Sequence, residues 1–335
     1  MTKKIKIIIT ISCIVLALAI ALGVFIVQKR NEEFQQAFAN DTLPDGNGRK
    51  ANIVVLAGQS NAAGCSGVSY LQQEVSPEKF SQYQNGYDNV YINYVTGSGT
   101  VKSNGFVKCK AGQGENAEMF GPELGLAEEF NRNYPDDLFF IVKWAWSGTS
   151  LSKDWLSPTS EGATGRLYYP FVRFIQDNVK YLYSKNYDVA VTGICWMQGE
   201  SDALDFTSAI MYYANLTQFV DDLRDDIKDY GVPSFLNDSI IFVDAQICDK
   251  PDLWTYCDNV NQGKDYVEFH SAHNFLIKTN DYYDELVCNK EPYGNPDLAH
   301  YDAESELLLG KFFAYYFKGY LYTQYVGSER PTYQS

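Results

Sequence analysis

Apolar residues collect in five short runs rich in β-branched and aromatic side chains, at 53–57, 90–95, 138–144, 189–196 and 240–245. Their length and the glycines and polar residues that punctuate them are those of buried strands. Stretches with helical spacing lie between the later runs, from Gly121-Pro122-Glu123 to Asn131, over 170–184 and over 209–230, and a last one runs from Ala303 to about Lys318. Strands alternating with helices predict an α/β fold: a three-layer α/β/α domain around a mostly parallel five-stranded sheet with right-handed crossovers. The segment 60–118 is long and rich in Gly, Ser and Asn. It is expected to form excursions over one rim of the sheet, where loops carry specificity.

The first thirty residues follow a different pattern. Ile7 to Val27 is 21 residues without a charge, with Lys3, Lys4 and Lys6 before it and Lys29 and Arg30 after it. At ~1.5 Å per residue such a helix spans a ~30 Å hydrocarbon core. The slightly larger positive excess on the amino side favours a cytoplasmic N-terminus and an external domain. A cleaved signal peptide is the alternative, but the run is long for one and Ala17-Leu18-Ala19 falls inside it. Residues 31–50 are polar and rich in turn formers, and are expected to be a stalk. Residues 51–335 are long enough for one large domain with a single core.

Charge narrows the ligands. The five basic residues of the first thirty are unaccompanied by acids, which leaves 22 basic against 42 acidic residues outside, a net charge of −20. That argues against nucleic acid or anionic lipid as ligand and leaves the membrane a role only through the N-terminal helix. An acidic surface also keeps a domain soluble.

Four segments place donor-rich residues at element ends. Gly58-Gln59-Ser60-Asn61 follows the first strand run, and Ser147-Gly148-Thr149-Ser150-Leu151 follows the third. Trp196-Met197-Gln198-Gly199-Glu200-Ser201-Asp202 closes the fourth, and Asp297-Leu298-Ala299-His300 precedes the final helix. A serine at the carboxyl end of a strand lies where open α/β sheets bind ligands, and can act as a nucleophile if a base reaches it. Alone, Ser60 would read more readily as a helix N-cap than as a nucleophile. Of the three histidines, His270 and His273 fall in a stretch, 267–276, that reads as helical, with no further ligand constellation for a metal. His300 sits in a proline-held turn, and Asp297 three residues back can reach its Nδ1 and fix the tautomer; Asp297 as a local turn residue is the plainer alternative.

Together these motifs resemble the sialate O-acetylesterase-like carbohydrate esterases, carbohydrate esterase family 6, within the SGNH hydrolase superfamily. The resemblance covers roughly 51–318. It implies a flavodoxin-like sheet and an extracytoplasmic enzyme that removes O-acetyl groups from a carbohydrate without a cofactor or metal. Ser60 would be the nucleophile, His300 the base and Asp297 the orienting acid, with Ser60, Gly148 and Gln198 as oxyanion donors. Gln198 could instead be a buried glutamine bonding strand-end backbone. Glu200 reads as a brace for its loop or as a substitute orienting acid, and Asn61 as a cap or a brace for Gln59. Two positions depart from the family: Ala62 stands where methionine is usual, and Ser147 where a first glycine is common. The second glycine of a nucleophile elbow is absent after Ser60, so the motif does not indicate an α/β-hydrolase. A lipase- or thioesterase-like specificity for longer acyl esters, or a non-catalytic glycan-binding module on the same fold, are the alternatives.

Trp155, shortly after Ser-Gly-Thr-Ser, is the expected rim aromatic; Trp144 and Trp146 could pack in the core or stack on a sugar. Six cysteines lie outside the apolar segment. Cys195 reads as a packed thiol, and Cys248 with Cys257 as a bridge closing a short loop, free thiols being the alternative.

Overall fold

The computed structural model describes residues 3–229, 240–282, 286–288 and 290–321. Ten strands are present among them: β1 (Lys50–Gly58), β2 (Ser66–Gly67), β3 (Val90–Thr96), β4 (Val101–Lys102), β5 (Val107–Lys108), β6 (Met119–Phe120), β7 (Leu138–Ala145), β8 (Asp188–Met197), β9 (Ile241–Ala245) and β10 (Asn274–Ile277). The helices are α1 (Lys3–Ala37), α2 (Ser60–Ala63), α3 (Val68–Glu74), α4 (Pro77–Asn85), α5 (Glu123–Asn133), α6 (Tyr168–Ser184), α7 (Phe206–Ile210), α8 (Tyr212–Asp229), α9 (Cys257–His270) and α10 (Ala303–Tyr316). All five apolar runs are strands of one sheet, in the order β10-β9-β8-β1-β7-β3, with every neighbouring pair parallel. Short antiparallel strands β4 and β5 close the β3 edge.

β10 is a sixth parallel strand, in a stretch whose sequence reads as helix. α9 ends at His270, and Asn274 to Ile277 pairs with β9 instead. The four-residue run is too short for its periodicity to separate strand from helix. His270 and His273 therefore share no helix face. His270 Nε2 lies 3.4 Å from Asp221, while His273 gives its backbone carbonyl to Phe242 N. The helix expected over 209–230 is broken at Met211 into α7 and α8, and Tyr230 lies outside the described residues, as do 322–335 of the expected domain.

The sheet is covered on both faces. Phe139 of β7 stacks on Phe130 of α5, with ring centroids 4.2 Å apart, and Phe130 also meets Phe317 beyond α10. Trp196 of β8 packs on Phe219 of α8 at 4.8 Å. Gly193 faces Phe317, and Trp196 lies three residues further along the same strand, so the two look to opposite faces.

The expected free stalk is not one. α1 continues to Ala37, and the chain after it is fastened to the domain. Phe38 stacks on Tyr181 with centroids 3.8 Å apart and approaches Phe106, and Phe38 and Leu43 are both buried. Backbone bonds run from Asn40 N to Asn104 O, Thr42 N to Phe106 O, and Gly46 N to Lys185 O. Polar residues here cap turns, as when Asp41 accepts from Leu43 N and Asp45 from Asn47 N, so the polar composition hides an anchored segment. The attachment is at the end of α6 and beside the start of β8, the end of the sheet away from the strand carboxyl termini.

Truncating Phe38 to Ala should therefore cost about 3 kcal/mol of unfolding free energy, the usual order for a buried phenylalanine. It should also open residues 38–48 to protease. Denaturant titration and limited proteolysis check both, and an unchanged midpoint with rapid cleavage of the wild type would mean a free stalk after all.

Candidate active site

β1 lies between β7 and β8, and in register Gly58 is opposite both Ala145 and Met197. The three strands thus end at one level, and the chain turns outward there at Gln59-Ser60, Ser147-Gly148 and Gln198-Gly199. The chain crosses from one half of the sheet to the other at β1, so this crevice is the switch point where α/β sheets take ligands. Gly58 makes the turn possible: its φ is +140°, and a Cβ there would meet Met197 O at 1.9 Å.

Ser60 opens α2 and is mostly buried. Its amide N–H, and that of Gly148, make no hydrogen bond among the described residues. Gly148 has φ +69° and open space where a Cβ would stand. Two unpaired amides at adjacent strand ends are donors left for an anion.

Asn61 ties a distant segment to this turn. Its Nδ2 donates to Glu200 Oε1 at 2.8 Å and to Ala299 O at 3.4 Å, and its Oδ1 accepts from Tyr301 N at 3.2 Å. The bonds to residues 299 and 301 bracket His300 and tie its backbone to the residue that follows Ser60. His300 Nδ1 is 2.6 Å from Asp297 Oδ2, and Asp297 Oδ1 accepts from Ala299 N at 2.8 Å. Partial burial pushes the Asp297 carboxyl upward, but the bonds from His300 and the Ala299 amide outweigh it and hold its pKa below the usual carboxylate range.

Glu200 is buried, its Oε2 without a partner among the described residues, and burial pushes its pKa up. Glu200 braces Asn61, as a loop support would, and the Asn61 side chain bonds Glu200, Ala299 and Tyr301 in place of the Gln59 expected for it. Beneath it lies the buried pair Lys264–Asp244 at 2.6 Å. Burial raises Asp244 to about 6 despite the Lys264 ammonium.

Gln198 departs from expectation. Its Nε2 lies 2.7 Å from Asp202 Oδ2, 3.0 Å from Thr149 O and 3.2 Å from Gln59 Oε1, and its Oε1 accepts from Tyr212 at 2.9 Å. Two protons facing three inward acceptors leave none for an oxyanion. The side chain is a buried bracket that holds the three strand-end turns together, and Gln59 completes it by accepting from the amides of Gly199 and Ser201. Asp202, which also takes the amides of Leu151 and Ser152, is the member the sequence reading passed over; its place in the Gln-Gly-Glu-Ser-Asp run was the available signal.

Trp155 is not at the rim. It is fully buried against Trp196 and Phe171, and its Nε1 donates to Thr149 Oγ1 at 2.9 Å. A tryptophan in a polar loop looked like a platform because nothing local shows that the loop folds inward. Trp144 and Trp146 are both partly exposed at this edge and stack on each other, and the Arg166 guanidinium covers Trp146 at 5.3 Å.

The sequence profile of the family described as carbohydrate esterase, sialic acid-specific acetylesterase, matches residues 50–318. The chain belongs to that family and is an acetylesterase-type hydrolase acting on carbohydrate esters. No curated protein matches the sequence. Among solved structures, the fold is similar to a protein from Arabidopsis thaliana (17% identity, 83% of this chain and 100% of that one, TM-score 0.54). It is also similar to NanS (14%, 82% and 98%, 0.56). A carbohydrate acetylesterase from Xanthomonas citri matches at 17% identity over 81% of this chain and 56% of its own, with TM-score 0.52. At these identities the likeness is one of fold.

Asn61→Ala should remove all three bonds at once and strip buried Glu200 of the one side-chain donor it has among the described residues. A loss of about 2–4 kcal/mol is expected, with faster hydrogen exchange at the Tyr301 amide. Exchange at Tyr301 equal to wild type would show that the His300 segment is held by something else.

Proposed function

We propose, taking membership of this esterase family as the premise, that the enzyme removes O-acetyl groups from a glycan by a Ser-His-Asp acyl-enzyme mechanism. Ser60 Oγ attacks the acetyl carbonyl carbon while His300 Nε2 takes its proton. Asp297, on the other ring nitrogen, fixes the tautomer and stabilises the imidazolium. The tetrahedral oxyanion is held by the amides of Ser60 and Gly148. It collapses as His300 returns the proton to the departing sugar oxygen, which leaves acetyl-Ser60. Water, activated by the same histidine, then releases acetate and regenerates the serine.

The observation that carries the reading is the Asn61 clip, which holds the Asp297–His300 pair beside the residue next to Ser60. A glycan-binding module has no use for a histidine ordered in this way. Glu200 is left as the support of the clip, since its bonded oxygen faces Asn61.

The same reading puts the enzyme outside the cytoplasm on a membrane anchor. Among the described residues one helix is apolar and long enough to cross a bilayer, and nothing in the described domain buries it. Because α1 leads into a segment fastened at the opposite end of the sheet from Ser60, the crevice would face away from the bilayer, toward glycans at a distance from the surface.

Ser60→Ala should lower acetate release from acetylated glycans by roughly three orders of magnitude or more while the fold persists. Near-normal turnover in the folded variant would remove Ser60 from the mechanism. Asp297→Asn and Glu200→Gln separate the two acids. The first should cut kcat on the order of 10²–10⁴-fold with little change in stability, and the second should act mainly through stability. The reverse pattern in kcat would give the orienting role to Glu200.

A further inference from the structure

Cys248 follows β9 and Cys288 precedes the turn that carries Asp297 and His300. Their sulfurs are 3.0 Å apart and both side chains are buried. Cys257, the partner expected from spacing, turns its thiol to Asp249 Oδ1 at 3.4 Å instead. The near spacing of 248 and 257 in sequence was misleading because α9 begins at Cys257 and carries its side chain away. The 248–288 pair also forms one wall of a small cavity of about 40 Å³, shared with Tyr301.

Residues around this pair are bonded directly to the histidine segment. Lys250 Nζ donates to Cys288 O at 3.2 Å and to Leu298 O at 3.1 Å. Val287 O accepts from Asp302 N at 3.0 Å, and Val287 N donates to Ser305 Oγ at 2.7 Å. Anything that fixes Cys288 to the end of β9 therefore fixes the backbone on both sides of His300.

We propose that Cys248 and Cys288 are a disulfide site, and that the bond staples the His300-bearing segment to the sheet. The consequence for catalysis rests on the mechanism above; the bond and its mechanical effect do not. The oxidant is an exchanging disulfide. Cys248 thiolate attacks one of its sulfurs and expels a thiolate. Cys288 thiolate then attacks the Cys248 sulfur of the mixed disulfide and expels the second. The two electrons pass to the oxidant, and the two thiol protons end on the released thiols. Cys248 suits the first attack: donation from Cys288, aided by the Lys250 ammonium, holds its thiol below the usual range.

The test uses the whole protein after incubation with oxidised glutathione, denatured, alkylated and digested without reduction. A linked pair of peptides carrying Cys248 and Cys288 is expected, lighter by two hydrogens than the separate ones. Alkylation of both cysteines, or a 248–257 link, overturns the proposal. Hydrogen exchange then reads the mechanical part in the absence of substrate. Reduction should speed exchange at the Asp302 amide in the wild type and leave it unchanged in the Cys248→Ala/Cys288→Ala protein. Equal exchange in oxidised and reduced wild type would overturn the staple even where the bond forms. Under the proposed mechanism, reduction also lowers kcat about tenfold, within the ~10²-fold that a 1 Å misplacement costs. Exchange that responds while kcat does not would count against the role of His300, not against the bond.

Discussion

Everything at this site depends on three parallel strands stopping at the same level. Gly58, Ala145 and Met197 are opposite one another because β1 is flanked by β7 and β8 on its two edges. Shifting one strand by a residue would move its turn by ~3.3 Å and reverse its side chains. The crevice is therefore a product of register, and register is set by the fully buried apolar runs of the central strands. The same alignment allows one glutamine to touch the backbone or side chains of all three turns.

That glutamine belongs to a buried polar network: Gln59, Gln198, Asp202, Tyr212 and the Thr149 carbonyl, with Lys264–Asp244 beneath. Such groups cost desolvation free energy unless each finds a partner, and when satisfied they fix one arrangement and resist others. Glu200 and Asp244 are the exceptions, each with one oxygen bonded and the other without a partner among the described residues. Glu200 is where the network meets the His300-bearing segment through Asn61. Under the proposed mechanism this rigidity would have a chemical use, because a preformed donor pair at Ser60 and Gly148 would not need to reorganise as charge develops.

Much of this was legible in the sequence, and what was not has identifiable causes. Five strands announced themselves by apolar runs of strand length, and the Asp297–His300 contact followed from a three-residue spacing across a proline-held turn. Long-range partners are silent in a linear reading. That is why a linear reading makes Gln198 an oxyanion donor although Asp202, Thr149 and Gln59 already take its protons, and places the buried Trp155 at the rim. The stalk failed for a related reason: polar residues that cap turns look like those that solvate a linker until Phe38 and Leu43 are seen buried. Cys248 was matched with the nearer Cys257, whereas its sulfur meets Cys288, forty residues away.

The central claim is that the strand-end turn after β1 carries an activated serine. It is tested most directly by reaction with a fluorophosphonate, which bonds covalently to a serine only when a base and oxyanion donors activate it. After digestion and mass spectrometry, the account predicts one adduct, on Ser60, lost when His300 is replaced by alanine. An adduct on Ser147, Ser150 or Ser201, or none on the folded active enzyme, would contradict it.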